Sequence, residues 1–316
     1  MIKLYKASSF KYTPFENFVQ GDLSFLNKNN IEIVENVKNA DIIISQNFKH
    51  LKPFFWRSFF GQKFLIWTLE SRFDKHFKSP IKVFLGLLKC HVMNVYTKDV
   101  FVSNLTFHAG SINKKLDLVP NDFELKTKKV IALMSYYKGI KSESLIKDGN
   151  NIDLISLRTK IALFGNDLGF LDIYGKGWPI GVSKEDSREG DWVNRKKELM
   201  SNYNFNLCFE NTATFNYTTE KIWDSIENYC LPVYYGKHTN VYELFPENSF
   251  VDYSNFKNPE ELFKFIYEIT NKEFVERMNK CIKVYNSISQ KGDVFVKSER
   301  EKMLNNIVER IKHIHI

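Results

Sequence analysis

Residues 203–236 constrain the fold of this chain more than any other stretch: YNFNLCFENTATFNYTTEKIWDSIENYCLPVYYG. The segment Asn204–Phe209 alternates polar and apolar residues, which predicts a β-strand. From Thr218 onward apolar residues recur at helical spacing, and the apolar run Leu231–Tyr235 predicts a second strand. A parallel β-α-β unit crosses over right-handed, so the loop 210–217 is expected at the carboxyl edge of the sheet, where open α/β sheets bind ligands.

The start of the predicted helix carries charges of both signs. Asn216 or Thr218 is expected to cap it, and Glu220 suits the positive end of the helix dipole. Lys221 does not suit that end, because a cation in the first turn adds to the positive charge. A bound phosphate would resolve the conflict by taking the backbone N–H groups and the ammonium together. The alternative is that Lys221 extends into solvent.

Length and charge narrow the possible partners. At about 150 residues per domain, a chain of 316 residues predicts two domains. The net charge is +8 and the isoelectric point is near 9.0, which fits phosphate-bearing ligands, nucleic acid or an anionic membrane surface. No dense Lys/Arg run alternates with aromatic residues, so we expect no nucleic acid partner.

Cysteine use and apolar runs bear on location. The four cysteines (Cys90, Cys208, Cys230 and Cys281) form no CxxC pair, and we expect buried, reduced thiols rather than disulfides. The N-terminus has no signal-peptide pattern, and no apolar run reaches the roughly 18 residues that span a bilayer. These features predict a cytoplasmic protein.

Strands alternate with helices or loops along the chain, which predicts an α/β fold. We expect an N-terminal Rossmann-like domain over 1–120, a second over 121–290, and a helical tail over 291–316. The polar segment 111–129 is the predicted linker. The tail has apolar residues on one side and basic residues on the other. It either packs on the first domain or lies on a membrane surface, and peripheral membrane association stays open. The oligomeric state stays open as well.

Several familiar chemistries lack their motifs. The sequence has no HExxH, no DxD, no GxxxxGK[ST] and no GxGxxG. We therefore expect no metal and no cofactor. Basic side chains and a helix N-terminus would then be the groups that bind a phosphate.

The motif of residues 209–221 has a close parallel in a known family. It resembles the α-1,3-fucosyltransferase signature, roughly F-E-N-(x)5-Y-x-T-E-K followed by a helix and a strand. The residues in register are Phe209, Glu210, Asn211, Tyr217, Thr219, Glu220 and Lys221. The resemblance implies a GT-B fold, in which two Rossmann-like domains face each other across a cleft. It also implies inverting transfer of L-fucose from GDP-fucose to a hydroxyl of an N-acetylglucosamine-containing glycan.

The same resemblance implies a catalytic base in the first domain. Glu70 directly follows an apolar strand, and the sequence LESR is similar to the family's E-S-P motif, whose Glu is the proposed base. Arg72 stands where proline is usual. The alternative is that Glu70 caps a helix or pairs with Arg72.

Further residues match the family's donor-binding positions. Ser135 and Arg158 precede DIYGK as in the family's S-N … R … D-x-y-G block, with Tyr136 in place of the usual Asn. The resemblance implies that Arg158 and Lys221 bind the diphosphate. Glu220 would accept hydrogen bonds from the ribose, while Asn211 and Tyr217 would shape the pocket. Alternatively, Arg158 is a surface residue of its helix.

Two other functions remain open from the sequence. One is a glycosyltransferase of the same fold that uses another nucleotide sugar. The other is a catalytically inactive module that binds a sugar nucleotide or a glycan.

Overall fold

The computed structural model describes residues 1–69, 79–94, 100–106, 108–138, 144–186 and 190–316. It divides into two units. Unit 1 comprises Met1–Thr106 and Val296–Ile316, and unit 2 comprises Phe107–Phe295. Each unit is built on a sheet of mainly parallel strands with helices, which confirms the predicted α/β class with two Rossmann-like domains.

The strands follow the chain in this order: β1 (Ile2–Lys6), β2 (Ile31–Val34), β3 (Ile42–Ser45), β4 (Lys63–Trp67), β5 (Ile81–Val83), β6 (Leu88–Met93), β7 (Val130–Leu133), β8 (Ile146–Lys147), β9 (Asn150–Asn151), β10 (Leu171–Tyr174), β11 (Phe205–Leu207), β12 (Leu231–Tyr234) and β13 (Val251–Asp252). The α-helices are α1 (Asp22–Lys28), α2 (Phe48–Leu51), α3 (Ile155–Asp167), α4 (Trp192–Met200), α5 (Glu220–Glu227), α6 (Pro259–Glu268), α7 (Asn271–Ser289) and α8 (Gly292–His315). A 3-10 helix, Lys52–Phe60, leads into β4.

The sheet of unit 1 has six strands in the order β2-β1-β3-β4-β6-β5. Every neighbouring pair is parallel except β5 with β6. The central strand β3 is buried along its whole length, and so is β4 from its second residue. Parallel strands covered on both faces require continuous apolar sequence, which is why IIIS and FLIW predict strands without alternation.

The sheet of unit 2 has five strands in the order β10-β7-β11-β12-β13, and all neighbours are parallel. Within it, β11, α5 and β12 form the strand–loop–helix–strand unit that residues 203–236 predict, and Phe205 pairs with Leu231. The strands β8 and β9 form a separate small hairpin.

The units differ from the predicted domains at both boundaries. The sequence predicted a break at 120 and a tail from 291, whereas unit 2 begins at Phe107 and the last segment of the chain belongs to unit 1. The predicted linker is held against α7: the Leu116 N–H donates to Asn286 Oδ1 at 2.8 Å and the Val119 N–H to Asn279 Oδ1 at 2.8 Å. The segment is therefore polar in composition, yet hydrogen bonds from its main chain fix it to α7.

Helix α8 packs within unit 1 from Val296 onward. Its apolar stripe is buried and comprises Met303, Leu304, Ile307, Val308, Ile311 and Ile314. Polar contacts fix the helix at both ends: Arg300 Nε donates to Asp22 Oδ1 at 3.0 Å, and Lys63 Nζ donates to the His315 carbonyl at 2.8 Å. Of the two predicted placements of the tail, packing on the first domain is observed, so this stripe is not a face that lipid could cover.

The buried cysteines are free thiols. Burial raises the pKa of Cys90, Cys208 and Cys230 to about 12, so these thiols stay protonated and unreactive. In the part of the chain that the structure describes, no helix is long and apolar enough to cross a bilayer.

The docking of α8 predicts that unit 1 depends on the end of the chain. Ile307 is fully buried. We expect Ile307→Ala to reduce the free energy of unfolding by about 2–5 kcal/mol, because the substitution leaves a cavity in a packed core. The measurement is denaturant unfolding, with hydrogen exchange to locate the loosened segments. Exchange should rise in β1–β6. The control is Asn305→Ala on the exposed side of α8, and equal stability of the two variants would contradict the packing role.

Candidate active site

The strand order of unit 2 reverses at β7. After β7 the chain continues to β10 on one side and then crosses to β11 on the other. At such a switch point the loops after the two neighbouring strands diverge and leave a crevice where ligands bind. Ser135 follows β7 and Glu210 follows β11, so both residues lie at this edge.

Glu210 is a buried carboxylate with a complete set of donors. Its side chain is 1% exposed. Oε1 accepts hydrogen bonds from the Thr219 N–H at 2.7 Å and the Tyr234 hydroxyl at 3.3 Å. Oε2 accepts from the Thr219 hydroxyl at 2.7 Å and from Lys221 Nζ at 3.1 Å. These bonds join the end of β11 to the start of α5 and to β12.

The cap of α5 differs from the prediction. Thr219 is the N-cap residue, and its side chain makes no capping hydrogen bond because the hydroxyl donates to Glu210. The expectation of Asn216 or Thr218 as the cap was therefore wrong. Asn216 has a left-handed backbone with φ of 55° and exchanges hydrogen bonds with Asn240: its N–H donates to Oδ1 and its Oδ1 accepts from Nδ2, both at 2.8 Å.

Lys221 does not extend freely into solvent. Its ammonium lies 3.1 Å from Glu210 Oε2, 2.7 Å from Thr219 Oγ1 and 3.3 Å from Glu220 Oε1. Burial favours the neutral amine, but the carboxylates of Glu210 and Glu220 outweigh it and raise the pKa of Lys221. The conflict between a lysine and the helix dipole is thus resolved by Glu210, an anion supplied by the protein itself.

Glu210, Thr219, Glu220 and Lys221 form one cluster, which we call the Glu210 cluster. Glu220 is its exposed member, with 48% of its side chain accessible. Partial burial alone would raise the pKa of its carboxyl, but Lys221 and His108 lower it to about 2. The pKa of His108 is itself lowered, first by burial and then by Lys221, against the opposing charge of Glu220. Glu220 is therefore ionised at neutral pH and can accept hydrogen bonds from a ligand.

Arg158 lies on α3 and is buried, not on the surface of the helix. Its side chain is 5% exposed, and Nη1 donates to the Phe209 carbonyl at 3.0 Å. Its Nε is buried without a hydrogen-bond partner among the described residues. Burial lowers the pKa of Arg158, and the negative charge of Glu210 opposes that change. A guanidinium keeps its proton at any physiological pH, so Arg158 is a fixed cation beside the loop.

The loop after β11 is hydrogen-bonded to the start of α3. The Leu154 N–H donates to the Asn211 carbonyl at 3.1 Å, and the Ala213 N–H donates to the Ile152 carbonyl at 2.9 Å. Asp153 in turn accepts from the N–H groups of the first turn of α3. Asn211 is partly exposed and Tyr217 is buried, with 7% of its surface accessible. The loop therefore holds Arg158 at the side of the Glu210 cluster.

Ser135 is fixed at the end of β7 by the neighbouring strand. Gly175, directly after β10, has φ of 149°, and a Cβ there would lie 2.2 Å from the Met134 carbonyl oxygen and 3.3 Å from the Ser135 N. Only glycine permits this approach. The Ser135 hydroxyl is buried without a hydrogen-bond partner among the described residues.

The structure brings Arg158, Tyr217, Glu220 and Lys221 around Glu210, with Asn211 on the same loop and Ser135 on the neighbouring strand end. Glu70, the predicted base, lies outside the described residues. In the described ranges no group of three or more His, Cys, Asp or Glu side chains could hold a metal ion. The sequence did not single out Glu210 or His108 as site residues. For Glu210 the signal was present, since it directly follows an apolar strand as Glu70 does.

Known proteins are similar to part of this chain. The family described as glycosyltransferase family 10 (fucosyltransferase) C-term matches residues 170–291. An alpha-(1,3)-fucosyltransferase, FucT, of Helicobacter pylori is 43% identical over 74 residues, which is 23% of this chain and 15% of the relative. An alpha-(1,4)-fucosyltransferase of Arabidopsis thaliana is 34% identical over 101 residues, 32% of this chain and 25% of the relative. The chain thus covers 15–25% of the length of these curated relatives.

Among solved structures, one described as alpha1,3-fucosyltransferase with GDP-fucose aligns with 88% of this chain and 81% of its own, at 17% identity and a TM-score of 0.47. The family match over residues 170–291 includes Glu210, Glu220 and Lys221, whereas Ser135 and Arg158 precede it. Residues 170–291 of this chain are thus similar to the C-terminal domain of the glycosyltransferase family 10 fucosyltransferases.

Proposed function

We propose that this protein is an inverting α-1,3-fucosyltransferase that moves L-fucose from GDP-fucose to a hydroxyl of an N-acetylglucosamine-containing glycan. The observation that carries the proposal is a pair of cations, Arg158 and Lys221, beside the buried Glu210 at the switch point of unit 2. Lys221 lies within the segment that matches the family, and Arg158 precedes that segment. A switch point with two fixed cations suits a nucleoside diphosphate.

Arg158 is suited to the diphosphate because its guanidinium is charged, buried and held by the Phe209 carbonyl. A guanidinium presents several N–H donors in one plane, which matches phosphate oxygens. The charge that develops on GDP as the glycosidic bond breaks would be stabilised by groups already in position, without reorganisation.

Lys221 and Glu220 form the part of the cluster that a donor can rearrange. Their ion pair is solvent-exposed and long, at 3.3 Å, whereas the bonds of Lys221 to Glu210 and Thr219 are more buried. A donor can replace this weak pair by two stronger contacts, with Lys221 on a phosphate oxygen and Glu220 on the ribose hydroxyls. Asn211, Tyr217 and Ser135 would then bound the pocket.

The transfer step needs a base on the acceptor side. The acceptor hydroxyl oxygen attacks the anomeric carbon of fucose from the face opposite GDP, the bond to the phosphate oxygen breaks, and the configuration inverts. We assign the proton of the hydroxyl to Glu70 on the resemblance of LESR to the family's E-S-P motif. No metal is required in this proposal, since Arg158 and Lys221 supply the positive charge at the diphosphate.

We also propose a cytoplasmic location. Its support is the four cysteines, all free and buried, which fit a reducing compartment.

The donor assignment is tested by ligand-dependent melting and by turnover. GDP-fucose and GDP should stabilise the protein by about 2.7 kcal/mol at a hundredfold excess over Kd, while UDP-sugars should not. Incubation with GDP-fucose and an N-acetyllactosamine acceptor in EDTA should release GDP. Equal stabilisation by a UDP-sugar would indicate another donor. GDP binding without turnover on any glycan of a panel would indicate an inactive binding module.

The phosphate contacts are tested by substituting the two cations of unit 2. We expect Lys221→Ala and Arg158→Lys each to weaken GDP binding about tenfold or more, because each loses charge-assisted hydrogen bonds worth about 1.5–3 kcal/mol. Calorimetric titration measures the loss, and melting of the ligand-free variants shows whether they are folded. Lys272→Ala removes a charge at an exposed position of the same unit and should bind GDP normally. A folded variant with unchanged affinity would remove that residue from the phosphate site.

The base is tested by Glu70→Gln, which keeps the size of the side chain and removes its basicity. Turnover should fall by about 10²–10⁴ while GDP affinity stays unchanged, because the phosphate-binding cations lie in unit 2. The wild-type rate should decline at low pH as the carboxylate gains a proton, and the residual activity of the variant should lack this decline. Near-normal turnover of the variant would exclude Glu70 as the base.

A further inference from the structure

Unit 1 exposes five large apolar side chains on two neighbouring elements. They are Trp56, Phe59 and Phe60 of the 3-10 helix Lys52–Phe60, and Leu85 and Leu87 of the turn between β5 and β6, with exposed fractions of 53%, 89%, 70%, 106% and 89%. We call these five residues the amino-edge patch. Single exposed apolar residues are ordinary in proteins, but a group of this size on one side of a unit marks an interaction surface.

The two elements share one core and one edge of the sheet. Phe55 of the 3-10 helix packs in the same buried cluster as Leu88 at the start of β6, and Val83 at the end of β5 lies against that cluster. The 3-10 helix ends just before β4 begins at Lys63, and Leu87 directly precedes β6. Because β4 and β6 are parallel, the patch lies at the amino ends of both strands.

The patch is held in its exposed form by local contacts. The Arg57 guanidinium lies over the Trp56 ring at 4.9 Å, and the Phe60 ring meets Trp56 edge-on at 5.7 Å. Leu85 has a left-handed backbone with φ of 55°, an unfavourable conformation for a leucine, and it projects fully into solvent. Trp56 and Phe60 are thus held by local contacts before any partner binds, which reduces the entropy that these two side chains lose on docking.

The two segments that carry the patch have side-chain charges of one sign. The sequence from Ile42 to Leu69 contains no Asp or Glu, and neither does the sequence from Ser79 to Asn94. Lys82 and Lys89 are exposed on β5 and β6, the strands that flank Leu85 and Leu87. Exposed apolar side chains beside lysines complement an anionic lipid surface.

We propose that the amino-edge patch docks unit 1 on an anionic membrane, with Phe59, Phe60, Leu85 and Leu87 entering the interface and the lysines contacting lipid headgroups. Exposure favours lipid over a protein partner. Phe59, Leu85 and Leu87 are almost fully exposed, and such side chains can insert between headgroups without a complementary surface. The apolar stripe of α8 takes no part, because it is buried in unit 1.

Docking at this edge leaves the opposite edge of the same sheet free. The carboxyl ends of β1, β3 and β4 point away from the patch, since the parallel strands run from one edge to the other. Ligands of open α/β sheets bind at the carboxyl edge. Unit 1 can therefore rest on a membrane without covering its own ligand-binding edge.

The test is binding of the full-length protein to vesicles. The wild type should co-sediment with vesicles containing about one third phosphatidylglycerol and bind phosphatidylcholine vesicles more weakly, and added salt should weaken the former. The double substitution F59S/F60S should lower vesicle affinity about tenfold or more, and L85S/L87S should also lower it. Quenching of tryptophan emission by spin-labelled lipid should be smaller in Trp56→Phe than in the wild type.

Ile180→Ser is the matched control, because Ile180 is 105% exposed in unit 2 and lies outside the patch. It should bind vesicles as the wild type does, and all variants should keep the wild-type melting temperature. The proposal fails if the wild type does not bind anionic vesicles, or if the double variants bind as tightly as it does. It also fails if vesicles are not bound and light scattering shows a dimer that F59S/F60S converts to a monomer, since the patch would then join two copies of the chain.

Discussion

The candidate active site depends on the burial of one carboxylate, Glu210. A charge taken out of water is tolerated only when it is paired and its oxygens accept hydrogen bonds. Thr219, Lys221 and Tyr234 provide those partners, and they belong to α5 and β12 rather than to the strand that carries Glu210. The same contacts that neutralise the carboxylate therefore fix the loop, the helix start and the ammonium in one arrangement. Lys221 is consequently both a structural partner and a proposed ligand of the donor, so its variants need a separate measurement of folding.

The sequence predicted the parts of this site that depend on local pattern. The predicted strands Asn204–Phe209 and Leu231–Tyr235 enclose the observed β11 and β12, and the predicted helix contains α5. Each of these elements has a period or an apolar run that is visible within about ten residues. The cap of α5 was not predictable in the same way. The Thr219 hydroxyl is taken by Glu210, nine residues earlier, and such a partner leaves no trace in the pattern of the helix itself.

Long-range contacts also explain the errors at the unit boundaries. The segment 111–129 has the composition of a linker, yet its main chain is hydrogen-bonded to asparagines 160 and 170 residues later in the chain. The placement of the tail was undecided for a different reason. An apolar stripe on a helix has the same period whether a sheet or a lipid covers it. Helix α7 was not predicted either, but neither long-range contacts nor an ambiguous stripe explains this. Its buried residues Phe274, Met278, Cys281, Ile282 and Tyr285 recur at helical spacing, so the pattern was there to be found.

The two edges of a parallel sheet can have different functions, because all strands begin at one edge and end at the other. In unit 2 the segments after β7 and β11 carry the charged cluster, because all strands end on the same side and their loops meet there. In unit 1 the strands also share a direction apart from β5, and exposed aromatic and leucine side chains lie where β4 and β6 begin. An aromatic surface at the carboxyl edge would compete with ligand for the same loops. At the amino edge it is free of that competition, so one sheet can carry both a ligand-binding edge and a docking edge.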